Sequence, residues 1–442
     1  MAQKTTTGAY IPFIVLGIFS IAAIFVPLYT DFDGSKVYNF ADISWMLIAS
    51  ALVLLMTPGL AFFYGGMVGR KNVISTMLQS FIATGLISVL WVVIGFGLAF
   101  GKSIHGVIGD PREFLFMRGI NAHEPWSLGP SIPLLLFALF QMKFAIITPA
   151  LVVGATAERI RFSSYVLFMM FFSLFIYAPL AHWTWHPDGI LYKLGVLDFA
   201  GGTVVHISAG CAALAGAVIL QRRKVHITKE EIKPARIPYV LLGTGLLWFG
   251  WFGFNAGSAL AANSLAVSAF ATTNTASAAA GLSWIFFDAV RGRKPSALGF
   301  CIGAVVGLVA ITPAAGYVGV PQSLFIGFIA AVCSNTAVYW KGKTTIDDTL
   351  DVFPCHGIGG IVGMIMTGVF ASKKINPGGN DGLFYGGTSF FIRQTAGCLI
   401  VVVFATLMGF IIFKLVDWIS PLRVTPQEEE LGLDLTQHDE RL

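Results

Sequence analysis

Charge is what this sequence has least of. Of its 442 residues only 12% are Asp, Glu, Lys or Arg, while 56% are hydrophobic; soluble domains carry roughly 25% charged residues. That excludes a water-soluble globular fold. Cysteine is scarce too: Cys211, Cys301, Cys333, Cys355 and Cys398 lie in or beside apolar stretches, with no Cys-x-x-Cys pair and no histidine at zinc-ligand spacing. They read as packing residues, and no metal or cofactor is expected. A phosphate-binding loop is also missing. Gly342-Lys343-Thr344 ends like one, but Ala337 occupies the place of the first glycine and no strand precedes it, so ATP-driven transport has no support. No nucleophile, metal or paired-carboxylate constellation stands out, so the chain does not read as an enzyme. The net charge of +5 is spread over loops, which speaks to membrane orientation and not to nucleic acid.

What is present is apolar sequence in separated blocks. A bilayer crossing takes about 20 apolar residues, and eleven blocks qualify, at about 42–67, 73–100, 131–155, 162–182, 199–221, 239–258, 264–290, 297–316, 321–340, 352–371 and 388–414. The fold class is therefore an all-α polytopic membrane protein with eleven transmembrane helices. Residues 10–29 are apolar after a start carrying only Lys4, and read as either a signal peptide or an extra helix, without an Ala-x-Ala-like cleavage site. The polar stretch Asp31 to Asn39 follows. The chain divides into 1–41, an apolar segment with an external linker; 42–420, the membrane domain; and 421–442, a tail.

Loops after odd-numbered blocks hold Arg70, Lys71, Arg159, Arg161, the cluster Arg222 to Arg236, Arg291, Arg293, Lys294, Lys341 and Lys343. The positive-inside bias puts those loops in the cytoplasm, the start of block one outside and the tail inside. The loop 101–130, with Asp110-Pro111 and His123 to Pro125, falls outside and reads as a plain connection. Blocks one and six share a Phe- and Gly-rich pattern, Phe62 to Gly66 and Phe252 to Gly257; blocks five and ten share Gly202 to His206 and His356 to Gly360. Five crossings per half makes the repeat inverted, with the pore between the halves and block eleven extra.

His206 and His356 sit inside apolar helices, at matching places in the two halves. An ionisable group in lipid is costly and normally lines a pathway; packing imidazoles bonded to carbonyls are the plainer alternative. Two neutral rings facing each other share one hydrogen bond and keep another nitrogen each for a small polar molecule or a proton. Asp198 and Asp351 lie near the starts of the two histidine helices, where a carboxylate caps free N–H groups; Asp198 is also placed to favour a cation at the pore mouth. Phe140, Phe144, Tyr177, Trp183, Trp185, Trp251, Phe254 and Ser258 form an aromatic set that reads as packing or interface residues, unless Trp holds a dehydrated cation on its ring face. The Ser258 hydroxyl accepts a hydrogen bond from ammonium and receives none from potassium.

Five strings, Thr57 to Gly66, Ala157 to Phe162, Asp198 to His206, Gly250 to Ser258 and Asp351 to Gly360, stand in the order they have in ammonium transporters, and from about Asp42 onward the chain resembles the Amt branch of the Amt/Rh/Mep family. The resemblance implies ammonium or ammonia transport across the plasma membrane, in a bacterium the inner membrane, by a homotrimer with one pore per subunit. Carried over by position, Phe140, Trp185 and Ser258 recruit ammonium in an outer vestibule, Phe144 and Phe254 form the gate, and His206 and His356 line the pore. Asp198, with Trp251 and Tyr177, supports the vestibule. The tail from Leu422 to Glu440 is similar to the family's C-terminal signature, which packs beneath the pores where a PII-type regulatory protein docks; by itself it reads as a solvated acidic tail. Two departures stand out. Asp439 occupies a glycine position, so the last turn is expected to differ. Lys143 sits beside Phe144 where an uncharged residue is expected, either facing the pore as a block or relay, or pointing away from it. An ammonium-binding sensor with little conduction is the rival reading, with Lys143 as its hint.

Overall fold

The computed structural model describes residues 11–27, 38–120, 125–230 and 233–442; Lys4, the polar stretch as far as residue 37, and His123 lie outside them. In lipid every backbone polar group must bond within the protein, and each apolar block does so as a helix. After α1, Ile11–Ile24, come α2 Phe40–Met67, α3 Arg70–Phe100, α4 Leu134–Thr156, α5 Phe162–Leu194, α6 Gly202–Leu220 and α7 Ile237–Ala259. The series continues with α8 Ser264–Val290, α9 Ala297–Ile311, α10 Val320–Lys341, α11 Phe353–Phe370 and α12 Thr388–Ile419.

Among the described residues nine of these helices are long and apolar enough to cross a membrane. Helix α8 is long but interrupted by Thr272, Thr273, Asn274 and Thr275. Helix α9 has 15 residues, about 22 Å, and is prolonged by turns to Tyr317. Helix α1 has 14 residues, about 21 Å, less than the roughly 30 Å of a bilayer core.

The two halves meet in two antiparallel or crossing pairs. Helices α2 and α7 pack along their length, with Gly66 against Arg236 and Val240 at one end and Gly253 against Ala49 at the other. Helices α6 and α11 cross so closely that a Cβ on Gly210 would stand 2.2 Å from the Gly357 nitrogen, and one on Gly360 would stand 2.9 Å from Ile207 Cγ1. The arrangement is reciprocal: the residue four past each histidine packs on the residue one past the other, as a two-fold axis between the halves requires. Gly210→Ala pushes a methyl into backbone, which cannot yield as a side chain can. We expect little folded protein from that variant by detergent size-exclusion chromatography, whereas Gly245→Ala, with nothing within 4 Å, should elute like the parent.

The loop 101–130 is more than a connection. Strands β1, Ser103–Ile104, and β2, Ile108–Gly109, form a hairpin in the register Ser103↔Gly109. It is fastened to α5 by Trp183 Nε1 donating to Val107 O at 2.8 Å and by a 2.8 Å bond between His182 Nε2 and Ser103 Oγ.

The tail, too, is docked, with Leu422, Val424, Leu433 and Asp434 buried and its last four residues exposed. Helices α13, Pro426–Leu431, and α14, Leu433–His438, follow a capping box at Thr425 and Glu428. Leu433 N donates to Asn72 Oδ1, Ser75 N donates to Asp434 Oδ1, and Arg423 donates to Leu220 O and Arg222 O. The loops after α2, α4 and α6 thus share one face with the tail, as the distribution of basic residues predicts. Asp439 ends α14 in the left-handed conformation, at φ 54°, a region that Asp tolerates better than most residues.

Candidate functional site

Both histidine helices open with a π-helical turn, Gly202–Ile207 and Phe353–Ile358, a distortion that gathers at functional sites. Each turn is held by a buried carboxylate. Asp198 Oδ1 accepts from Gly201 N at 2.8 Å and Gly202 N at 2.7 Å, and Oδ2 accepts from Thr203 N at 2.7 Å and from the Thr203 hydroxyl. In the other half the capping residue is Asp348, accepting from Val352 N at 3.0 Å and Phe353 N at 2.8 Å. This corrects the pairing of Asp198 with Asp351. Asp198 and Asp348 each stand eight positions before their histidine, while Asp351 matches Gly201, five before; both take positive φ, 58° and 114°. Asp351 pairs with Lys341 at 2.6 Å.

The two imidazoles face each other at the crossing, with Nδ1 to Nδ1 at 3.3 Å, centroids 5.4 Å apart and planes 26° apart. One Nδ1 donates and the other accepts, so of the two Nε2 atoms one is a donor and the other an acceptor. His206 Nε2 is buried without a protein partner and borders a cavity lined also by Phe254, Trp251, Leu60, Phe63 and His356. The space holds about one water-sized molecule, and no Asp, Glu, Lys or Arg lines it. A second small cavity, lined by Met67, Leu350 and again His356, continues toward the tail face.

On the opposite side the first cavity is shut by two stacked rings, Phe144 and Phe254, with centroids 4.2 Å apart. Above them Trp185 stands edge-on to Phe144 at 5.9 Å and is held by its Nε1 donating to Asp198 O at 3.0 Å. Ser258 Oγ donates to Phe254 O at 2.9 Å. Trp185 and Ser258 are partly exposed, whereas Phe140 is fully buried behind the gate, 4.9 Å from Phe144. Asp198 therefore ties the mouth to the histidine helix through one residue.

Two of the aromatic residues singled out from sequence lie elsewhere than expected, while Lys143 takes the second of its two expected orientations. Trp251, one helical turn before Phe254, sits beneath the gate and stacks on His206, centroids 5.3 Å and planes 19° apart. Tyr177 is buried against Trp91, at 6.2 Å, and makes no ring contact with Trp185, Phe140 or Trp251 among the described residues. Lys143 continues the half-buried row Leu135, Leu139, Lys143 on α4, lines neither cavity, and makes its nitrogen contact to Met142 Sδ at 3.7 Å. Asp348, Leu60, Phe63 and Thr312 were missed. The eight-residue spacing to each histidine is the signal that would have found Asp348; the other three needed the packing.

At the tail face the floor of the site is a buried ionic cluster. Arg223 bonds Asp347 through Nε at 2.9 Å and Nη2 at 2.7 Å, and reaches Glu158 through Nη1. Burial alone would raise the Asp347 carboxyl, but hydrogen bonds from Arg223 and its charge hold it well below the usual carboxylate range. Arg159 is fully buried, which brings its guanidinium down to about 10; it donates to Asp347 O at 2.5 Å and Thr349 Oγ1 at 2.7 Å.

Residues 44–441 match the Ammonium Transporter Family. The chain is 46% identical over 403 residues to the ammonium transporter of Bacillus subtilis, covering 90% of this chain and 98% of that one. Its fold superposes on the crystal structure of Saccharomyces cerevisiae Mep2 with a TM-score of 0.84 at 34% identity, covering 89% of each chain. It superposes on a solved sensor Amt protein with a TM-score of 0.81 at 31% identity, covering 90% of this chain and 98% of that one.

Proposed function

The chain belongs to the ammonium transporter family, and from that premise we propose that it recruits ammonium at the Trp185 and Ser258 mouth and passes ammonia between Phe144 and Phe254 into the His206 and His356 pore. The observation that carries this reading is the cavity below the gate, which has two imidazoles and no charged side chain. A narrow, mostly apolar and uncharged space disfavours a cation. Ammonium escapes that penalty by leaving a proton behind, and potassium has none to leave. Ammonia carries both a lone pair and N–H groups, so it suits one donating and one accepting imidazole nitrogen.

The basic residues support an orientation with the start of α2 outside and the tail face in the cytoplasm, and the family likeness supports the plasma membrane, with 42–420 as the transport domain and 421–442 as its tail. A homotrimer with lipid around it is the assembly that the family likeness supports, and the docked tail with the adjoining basic loops is the surface offered to a PII-type protein.

Purified protein in liposomes tests the reading. An inward ammonium jump should produce flux, read as internal pH change and as current, while an equal potassium jump produces neither. His206→Leu, which leaves the pore without that polar atom, should lower ammonium flux about tenfold, the worth of one hydrogen bond of about 1.4 kcal/mol. Current with the flux means that the proton follows; flux without current means that ammonia crosses alone. The likeness to a sensor supports the second reading, an ammonium-binding receptor. Silent liposomes together with ammonium binding by calorimetry would favour it and sink the transport proposal.

A further inference from the structure

Thr312 stands where α9 ends. Pro313, next in the chain, cannot continue the helix, and the Thr312 hydroxyl gives its one proton to Leu308 O at 2.7 Å. What remains on that oxygen is acceptor capacity, and it receives the Trp251 Nε1–H at 2.9 Å. Both residues are buried, and this is the hydrogen bond that the indole nitrogen makes. Pinned at that edge, the Trp251 ring lies nearly flat against the His206 imidazole, with planes 19° apart, and leans on Phe254 at 5.5 Å. All three border the cavity below the gate.

We infer that Thr312, which touches neither the cavity nor the substrate path, is a positioning residue for conduction: by holding the Trp251 indole at its nitrogen it fixes the flat wall that aims the His206 ring along the pore. The inference rests on the reading of that cavity as the ammonia path. Nothing in α9 itself needs the arrangement, because a helix ending at proline is complete without a tryptophan on its last hydroxyl. A serine at 312 reproduces both bonds. A valine matches the shape and takes away the acceptor that the buried indole N–H uses, which drives the ring to turn toward another one.

The test is a double-mutant cycle on ammonium flux in liposomes, with Thr312→Val, Trp251→Phe and the two combined, and Thr312→Ser as rescue. Phenylalanine keeps a flat face and has no N–H. Thr312→Val is expected to lower maximal flux about tenfold while the half-saturating ammonium concentration stays within about twofold, since the mouth is untouched. Thr312→Ser should return flux to within about twofold of the parent. Trp251→Phe should lower flux by itself, and adding Thr312→Val to it should change nothing more, because the threonine acts through the indole N–H alone. Multiplying losses in the double variant would overturn the inference, as would parent-like flux in Thr312→Val or a serine that fails to restore it. Parent-like flux in Trp251→Phe overturns it even where Thr312→Val does not fold. A silent parent protein overturns this inference together with the proposed function, whereas an active parent with an indifferent Thr312 overturns this one alone.

Discussion

Asp198→Ala will give a protein without measurable transport, at least 100-fold below the parent, and with a lower unfolding temperature. The side chain accepts from three backbone N–H groups and one hydroxyl, all buried, and each donor left unsatisfied costs about 1–3 kcal/mol. The turn they form carries His206, and the Asp198 carbonyl holds Trp185, so both the pore and its mouth lose their reference point. Asp198→Asn separates two roles that the sequence leaves open. An amide oxygen still accepts from part of the turn but carries no charge. If Asp198 acts as a cap, Asn falls between Ala and the parent in both flux and thermal stability; if it acts by attracting the cation, Asn transports no better than Ala. Asp348→Ala, which frees two N–H groups, should be the milder of the two alanine variants.

Arg223→Ala will be the most damaging substitution at the tail face. It strips the cation from Asp347 and Glu158, all three being buried, and breaking a buried pair from one side costs about 3–5 kcal/mol. Thermal unfolding in detergent measures it. Because Arg223 holds the Asp347 carboxyl below its usual range, the parent has this stability in full above the ordinary carboxylate pKa and loses it as pH falls below that value toward the lowered pKa of the folded protein. The gap between parent and variant is therefore widest near neutral pH, narrows on acidification as the carboxyl left without a cation in the variant takes up its proton, and goes on narrowing below about pH 4 until the parent's own carboxyl is protonated. A gap that does not change with pH would rule out the ionic explanation. Arg223→Lys should recover less than half, since one ammonium cannot replace two parallel bonds to Asp347 and a third to Glu158.

The legible parts of this protein are those governed by solvent and backbone. Each of the eleven apolar blocks corresponds to one of the helices α2 to α12, and the basic loops predicted which ends lie together. The two histidines were visible because an ionisable side chain in an apolar run has few reasons to be there. The pairing of carboxylates was misread at Asp351: a cap is defined by which N–H groups a side chain can reach, and the left-handed φ of Asp351 turns it toward Lys341 while Asp348 reaches back to the turn. The loop 101–130 looked plain because a two-residue strand pair leaves almost no pattern, and its order comes from bonds to Trp183 and His182 far along the chain.

By itself, then, the sequence determined that the chain is helical, where its long apolar helices lie, and which polar residues are out of place in lipid; each of these follows from the cost of exposing peptide groups or charge to hydrocarbon. Only the tertiary structure decided that Trp251 stacks on His206, that Thr312 accepts its indole N–H, and that Lys143 lines neither cavity. Those are matters of the azimuth at which helices meet, set where Gly210 and Gly360 let two backbones touch, and a pattern read along one helix does not carry the angle at which another crosses it.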